Sequence, residues 1–258
     1  MIIDCHCHAG KGDGFTGPWD TSAPLGAYLK RAREAGIDRT VVFAPFTSDY
    51  AAANRATCDL VRRHPERLWG FAFVHAQRDR GRIHAMVSRS VAGCGFRGIK
   101  VHGHDARITR EICETARALD VPVLYDVVGD VSVVELLARE YPDVRFIIPH
   151  LGSFSDDWKA QHALIDPLTR HANVHTDSAG VRRFDILKEA VERAGAHKVL
   201  FGSDGPWLHP GVELAKIHAL RLPPRDEALV LGGNFLRITS SRRRFAPRQV
   251  APVAVRLA

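Results

Sequence analysis

Two histidines one residue apart, His6 and His8, end a short apolar run that starts at Met1-Ile2-Ile3. On a β-strand, residues i and i+2 point to the same side, so both imidazoles would face one point in space, which is how a strand grips a metal ion. The spacing alone is weak evidence. The chain has 14 histidines, and the same tripeptide pattern returns at His102-Gly103-His104. An isolated pair of this kind is as readily two packed or solvated histidines, so context must separate the two motifs. His6 and His8 run directly into Ala9-Gly10-Lys11-Gly12-Asp13-Gly14, which places them at the C-terminal end of a buried strand. Cys5 and Cys7 interleave with them and could offer thiolates to a structural zinc, but strict alternation turns both toward the strand's outer side, where small buried cysteines are common. Cys58, Cys94 and Cys113 form no C-x-x-C, and an odd total of five predicts reduced thiols.

The elements that must position these residues repeat along the chain. Apolar, β-branched runs at 2–6, 40–45, 69–74, 98–102, 121–127, 144–149, 173–177 and 198–203 read as strands. Between and after them, 25–35, 51–64, 82–92, 109–119, 133–141, 160–171, 185–194 and 212–220 space their apolar residues three or four apart, as helices do. Eight β-then-α units in about 250 residues predict a single-domain α/β fold, a distorted (β/α)8 TIM barrel, with chemistry at the C-terminal ends of the strands. Polar residues fall at those ends: His6 and His8, Lys100 and His102, Asp126, His150, Asp177 and Asp204. A further helical stretch, 225–236, leads to Gly232-Gly233-Asn234, so the barrel is expected over 1–236. Residues 237–258, with Pro247 and Pro252, read as an irregular basic tail.

Composition narrows the function. The formal charge is +7, but residues 237–258 hold six arginines and no acid, which leaves only +1 on the rest of the chain. Arg242-Arg243-Arg244 lacks an aromatic platform, and no basic stripe crosses the barrel, so no nucleic-acid partner is expected. No apolar segment reaches the ~20 residues that cross a membrane, and no cleavable leader is visible; the expectation is a cytoplasmic protein acting on a small-molecule substrate. Homo-oligomers are frequent on this fold, although no apolar stripe marks an interface.

Several segments together are similar to the amidohydrolase superfamily, in the branch typified by aminocarboxymuconate-semialdehyde decarboxylase. They are Ile3-Asp4-Cys5-His6-Cys7-His8, Gly95-Phe96-Arg97-Gly98-Ile99-Lys100, Val121-Pro122-Val123-Leu124, Ile148-Pro149-His150-Leu151-Gly152, Val199-Leu200-Phe201-Gly202-Ser203-Asp204 and Gly233-Asn234. The resemblance implies one divalent metal, zinc or alternatively manganese, held by His6 and His8 of the first strand and Asp204 of the eighth, with His150 in acid/base chemistry. It also implies a histidine ligand ending the fifth strand, where this chain has Asp126. Three readings of that departure stand open: Asp126 ligates the metal through oxygen, Asp126 orients a histidine while His150 moves in as ligand, or metal binding is weakened or lost.

A metal with an open coordination position makes hydroxide available near neutral pH, and the leading expectation is therefore hydrolysis of a small amide, ester or lactone, with Asp204 or His150 taking the proton. The rival is non-oxidative decarboxylation of a small aromatic or unsaturated acid, and a third reading is a catalytically reduced ligand-binding barrel. Lys100, His102 and Trp207 are candidate substrate contacts. Other branches of the superfamily carry a carbamylated lysine at the fourth strand; here an unmodified Lys100 is expected. Arg97, Arg107, Arg182 and Arg183 are candidate anchors for an acidic substrate. The loop 9–24, with Trp19, is a candidate cover for the barrel mouth, and Trp158 a candidate wall.

Overall fold

The computed structural model describes residues 1–14 and 21–240. Eight parallel strands form one sheet in sequential order: β1 (Ile3–His8), β2 (Arg39–Phe43), β3 (Leu68–Phe73), β4 (Gly98–His102), β5 (Val123–Asp126), β6 (Phe146–Ile148), β7 (Val174–Asp177) and β8 (Val199–Leu200). Each is followed by an outer helix: α1 (Leu25–Glu34), α2 (Tyr50–Arg63), α3 (Ile83–Cys94), α4 (Arg110–Leu119), α5 (Ser132–Glu140), α6 (Trp158–Arg170), α7 (Phe184–Ala194) and α8 (Pro210–Ala219). This is the expected (β/α)8 barrel. The ring is drawn shut between its first and last strands, where the Cys5 amide donates to Phe201 O (3.0 Å), that of His8 to Gly205 O (2.6 Å) and that of Asp204 to His6 O (2.8 Å).

Asp4 ties that seam to α1. Its carboxylate accepts from Tyr28 Oη (2.5 Å), from the amides of His6 (3.0 Å) and Ser203 (2.9 Å), and from the Ser203 hydroxyl. Burial nevertheless pushes its pKa up to about 7. Two residues beyond β8, glycine at 202 lets the chain pass closely between His6 and Asp177: a Cβ there would lie 3.0 Å from the Cβ of His6 and 3.2 Å from the Cγ of Asp177. Phe43, Phe71, Phe73, Phe146 and Phe201 are all buried. Among the described residues no helix is long and apolar enough to cross a membrane.

Three expectations need revision. The pairing of β1 with β2 shifts register between Asp4 and Cys7, so side chains do not alternate strictly there. The Cys5 thiol lies within reach of the Asp177 and Lys100 charges, whereas Cys7 sits by Asp4 and Tyr28. Nor are all five thiols reduced: Cys58 of α2 and Cys94 of α3 form a disulfide with Cα atoms 5.6 Å apart, leaving Cys5, Cys7 and Cys113 free and buried. Packing of neighbouring helices brings together two cysteines 36 positions apart, a proximity that no local spacing displays. Finally, residue 236 is no structural boundary, because a helix runs over Asn234–Thr239. The Asn234 amide donates to Ala196 O and Val199 O, while Arg237 donates to His197 O, so both pin this helix under the barrel. Arg242–Arg244, Pro247 and Pro252 lie outside the described residues, as does Trp19 of the proposed mouth cover.

Candidate metal centre and acid/base site

At the C-terminal end of the barrel, groups behind the rings fix what His6 and His8 present. His6 Nδ1 lies 2.8 Å from the Asp177 carboxylate and His8 Nδ1 lies 3.1 Å from Ala44 O. Both partners only accept, so each ring carries its proton on Nδ1 and keeps a bare lone pair on Nε2. Burial lowers the pKa of His6 and drives that of His8 well below the usual range, with Lys100 nearby adding to the effect on His8. The two Nε2 atoms stand 3.4 and 3.6 Å from Asp204 Oδ1, and the three donors all fall within 4.8 Å of one another. Three electron-pair donors converging in a buried space repel one another until a cation sits among them. Two imidazoles and a carboxylate suit zinc or manganese, with an open position left for substrate or water. His6, His150 and Asp177 form a second close group, within which His6 Nδ1 and Asp177 already share a hydrogen bond of 2.8 Å.

Asp126 is not brought into that set. Its Oδ2 faces His102 Nε2 at 3.2 Å and His150 Nε2 at 3.5 Å, and its Oδ1 accepts from the amide of Val128 at 2.9 Å. Burial alone would raise the Asp126 pKa, yet the two histidines outweigh it and hold the group well below the carboxylate range. His150 gives its Nδ1–H to Ala179 O (2.8 Å) and its amide to Asp177 Oδ1 (3.0 Å). Burial opposes charge on this ring, but Asp126 and the charges of Asp204 and Asp177 raise its pKa to about 9. Lys100 is fully buried at the floor, with Nζ 5.0 Å from the Phe43 ring centroid and no hydrogen-bond partner. Its pKa is lowered by burial, against the pull of Asp126, Asp204 and Asp177.

These groups surround a cavity of about 250 Å³. Trp207 is 4.5 Å from His8 ring to ring, Phe154 meets His150 edge-on at 5.2 Å, and Phe46 meets His102 at 4.8 Å. Lys100, His102 and Trp207, the expected substrate contacts, all line it, together with His104 and Ser153. No arginine does. Arg97 lies over Trp69, while Arg107, Arg182 and Arg183 pair with Asp130, Asp156 and Asp185 outside the cavity. Trp158 is 48% exposed and is not part of the wall. Sequence reasoning missed the roles of Asp177, Phe46 and Phe154; for Asp177, its position ending β7 was a usable signal, whereas the Ala44 and Ala179 carbonyls leave no trace in residue types.

Two of the key residues sit on unusual backbone. His150 (φ +57°) and Asp204 (φ +55°) are left-handed non-glycine residues, and Leu151 (φ +53°) follows His150. Such conformations cost about 1–3 kcal/mol each, and they are held here by hydrogen bonds from the His150 and Asp204 amides.

Parallel barrel, paired strand-end histidines and a closing aspartate define a metal-type (β/α)8 enzyme. A family profile described as amidohydrolase matches residues 3–238, and the chain belongs to that family. None of the curated proteins matches the sequence. Among solved structures, 2,6-dihydroxybenzoate decarboxylase from Rhizobium is similar at 16% identity, covering 92% of this chain and 98% of its own, with a TM-score of 0.69. A dihydroxybenzoic acid decarboxylase from Polaromonas sp., with bound manganese and the inhibitor 2-nitroresorcinol, is 17% identical over 92% of this chain and 96% of its own (TM-score 0.70). A probable 2-pyrone-4,6-dicarboxylic acid hydrolase from Acinetobacter baumannii, with citric acid bound, is 17% identical over 92% and 98% (TM-score 0.69). At these identities the likeness is one of fold.

Proposed function

We propose that this enzyme is a divalent-metal-dependent, non-oxidative decarboxylase of a small, planar aromatic or unsaturated acid. The observation that carries the reading is His150: its Nδ1–H is committed to Ala179 O, its Nε2 faces the cavity, and Asp126 at 3.5 Å favours the protonated ring. Decarboxylation breaks the bond from a substrate carbon to its carboxylate, leaves the electron pair on that carbon, releases carbon dioxide and puts a proton on the carbon. His150 Nε2 would give that proton and recover it from water after release. His6, His8 and Asp204 would hold the cation, which when bound neutralises substrate oxygens beside the reacting carbon. Lys100, buried with an unpartnered Nζ, supplies a further cationic contact for an acid, and Trp207, Phe46 and Phe154 form walls against which a planar substrate packs. Two of the similar structures described above are decarboxylases.

The second reading is hydrolysis of a lactone, ester or amide. It is favoured by Asp204, which shares the cavity with His150 and is placed to take a proton from water, and by the similarity to a probable pyrone-dicarboxylate hydrolase. The deciding experiment loads the purified enzyme with manganese or zinc and follows carbon dioxide release across hydroxybenzoates and unsaturated acids beside a lactone, ester and amide panel. Carbon dioxide release that H150Q abolishes is the expected result; hydrolysis without it would overturn the proposal.

A further inference from the structure

We infer that Asp126 is a positioning residue that holds His102 and His150 by their Nε2 atoms and gives no electron pair to the metal. The inference rests on the metal site proposed above and concerns the one position at which the chain departs from the histidine that the family resemblance implies.

Both oxygens of the Asp126 carboxylate already face protein nitrogens. Oδ1 accepts the Val128 amide at 2.9 Å, and Oδ2 lies between two imidazole nitrogens, at 3.2 and 3.5 Å. For His102 the donor role is set by the backbone. The amide of His104 donates to His102 Nδ1 at 3.1 Å, so that nitrogen is bare and the ring proton sits on Nε2, the atom that lies 3.2 Å from Asp126 Oδ2. The turn that aims this amide is locked to β5: Gly103 N donates to Asp126 O at 2.7 Å, and a Cβ on Gly103 would come within 2.9 Å of the same oxygen. His102-Gly103-His104 is thus a clamp on Asp126, and Asp126 in turn fixes the cavity-facing nitrogen of His150. Asp126 also stands apart from the His6, His8 and Asp204 donor set.

The test uses the full chain and three variants, D126N, H102Q and H6A. Metal content per chain and Kd for Mn²⁺ are measured with 15N-histidine NMR, His102 being assigned through H102Q, and with steady-state kinetics. Positioning predicts one metal per chain and a Kd within about threefold of wild type for D126N and H102Q, while H6A loses the metal. It further predicts a protonated Nε2 on His102 in wild type, and His102 and His150 signals that move together in D126N. The kinetic loss should fall on kcat rather than KM, by about 10–100-fold as for other groups that orient a reacting residue. A tenfold or greater loss of metal affinity in D126N would overturn the inference, as would His102 protonated on Nδ1. If wild type binds no metal, the metal reading fails, and NMR still decides: coupled shifts of His102 and His150 in D126N support positioning, and unchanged shifts refute it. H102Q breaks the same pair from its other side should D126N fold poorly.

Discussion

At the end of β1, His6 and His8 each give an Nδ1–H to an acceptor behind the ring and turn two bare nitrogens to the cavity. At the end of β4, His102 receives an amide on Nδ1 and turns an N–H instead. The two tripeptides have identical spacing and lie on the same rim, yet one is an electron-pair donor and the other a proton donor. The difference comes from what stands behind each ring: a carboxylate and a carbonyl in one case, a backbone amide in the other. A His-x-His pattern therefore specifies direction, and its backing specifies chemistry.

The sharpest way to break this comparison is to delete one ring from each motif. H6A or H8A should abolish stoichiometric metal binding by elemental analysis and lower activity by roughly 10³-fold or more, because the cation contributes several kcal/mol at the transition state. H104A keeps the His102 backing amide and should retain the metal; loss of metal there would make the motifs equivalent. Next in size is D177N, which removes the carboxylate behind His6 and should weaken metal binding by about 10–100-fold in a chelator competition.

A pH–rate profile sharpens the proton-donor side. The folded pKa of His150 is raised from 6.5 to about 9, so the acid form is present at lower pH and is lost as pH rises through that value. A bound cation opposes the shift, which places the descending limb of kcat between 6.5 and 9. A profile still rising beyond that range would remove His150 as the acid.

An effect on stability rather than activity is expected at a histidine whose ring nitrogens have no hydrogen-bond partner. His175, on β7 below the site, is 2% exposed with neither ring nitrogen hydrogen-bonded, and burial, helped by Lys198, lowers its pKa to about 3. Its folded value is depressed, so its contribution to stability is complete above the unfolded value near 6.5 and is lost as pH falls from there toward 3. Urea unfolding from pH 7 to 4 should show a decline on the order of 1 kcal/mol per pH unit from this group, and H175L should flatten it.

Much of this was legible beforehand because strands and helices of a barrel leave periodic traces and because its chemistry collects at strand ends. His6, His8, His150 and Asp204 were placed at strand ends that way, and all four line the cavity. Asp126 was found but with its role open, since a ligand and an orienting carboxylate occupy the same sequence position and differ only in which neighbour donates to them. The register shift beside Cys5 and the Cys58–Cys94 pairing were invisible because both depend on how one element lies on another. The candidate arginines failed for a related reason: each had a nearer carboxylate or aromatic ring than the cavity could offer.

The left-handed backbone at His150 and Asp204 has a consequence for anyone who would engineer this barrel. Glycine adopts that conformation freely, whereas alanine does not, so replacing either residue by glycine should leave a more heat-resistant protein than replacing it by alanine, by about 1 kcal/mol. The two residues proposed to do chemistry thus stand where the backbone by itself favours glycine, and paired glycine and alanine melting curves would measure that preference.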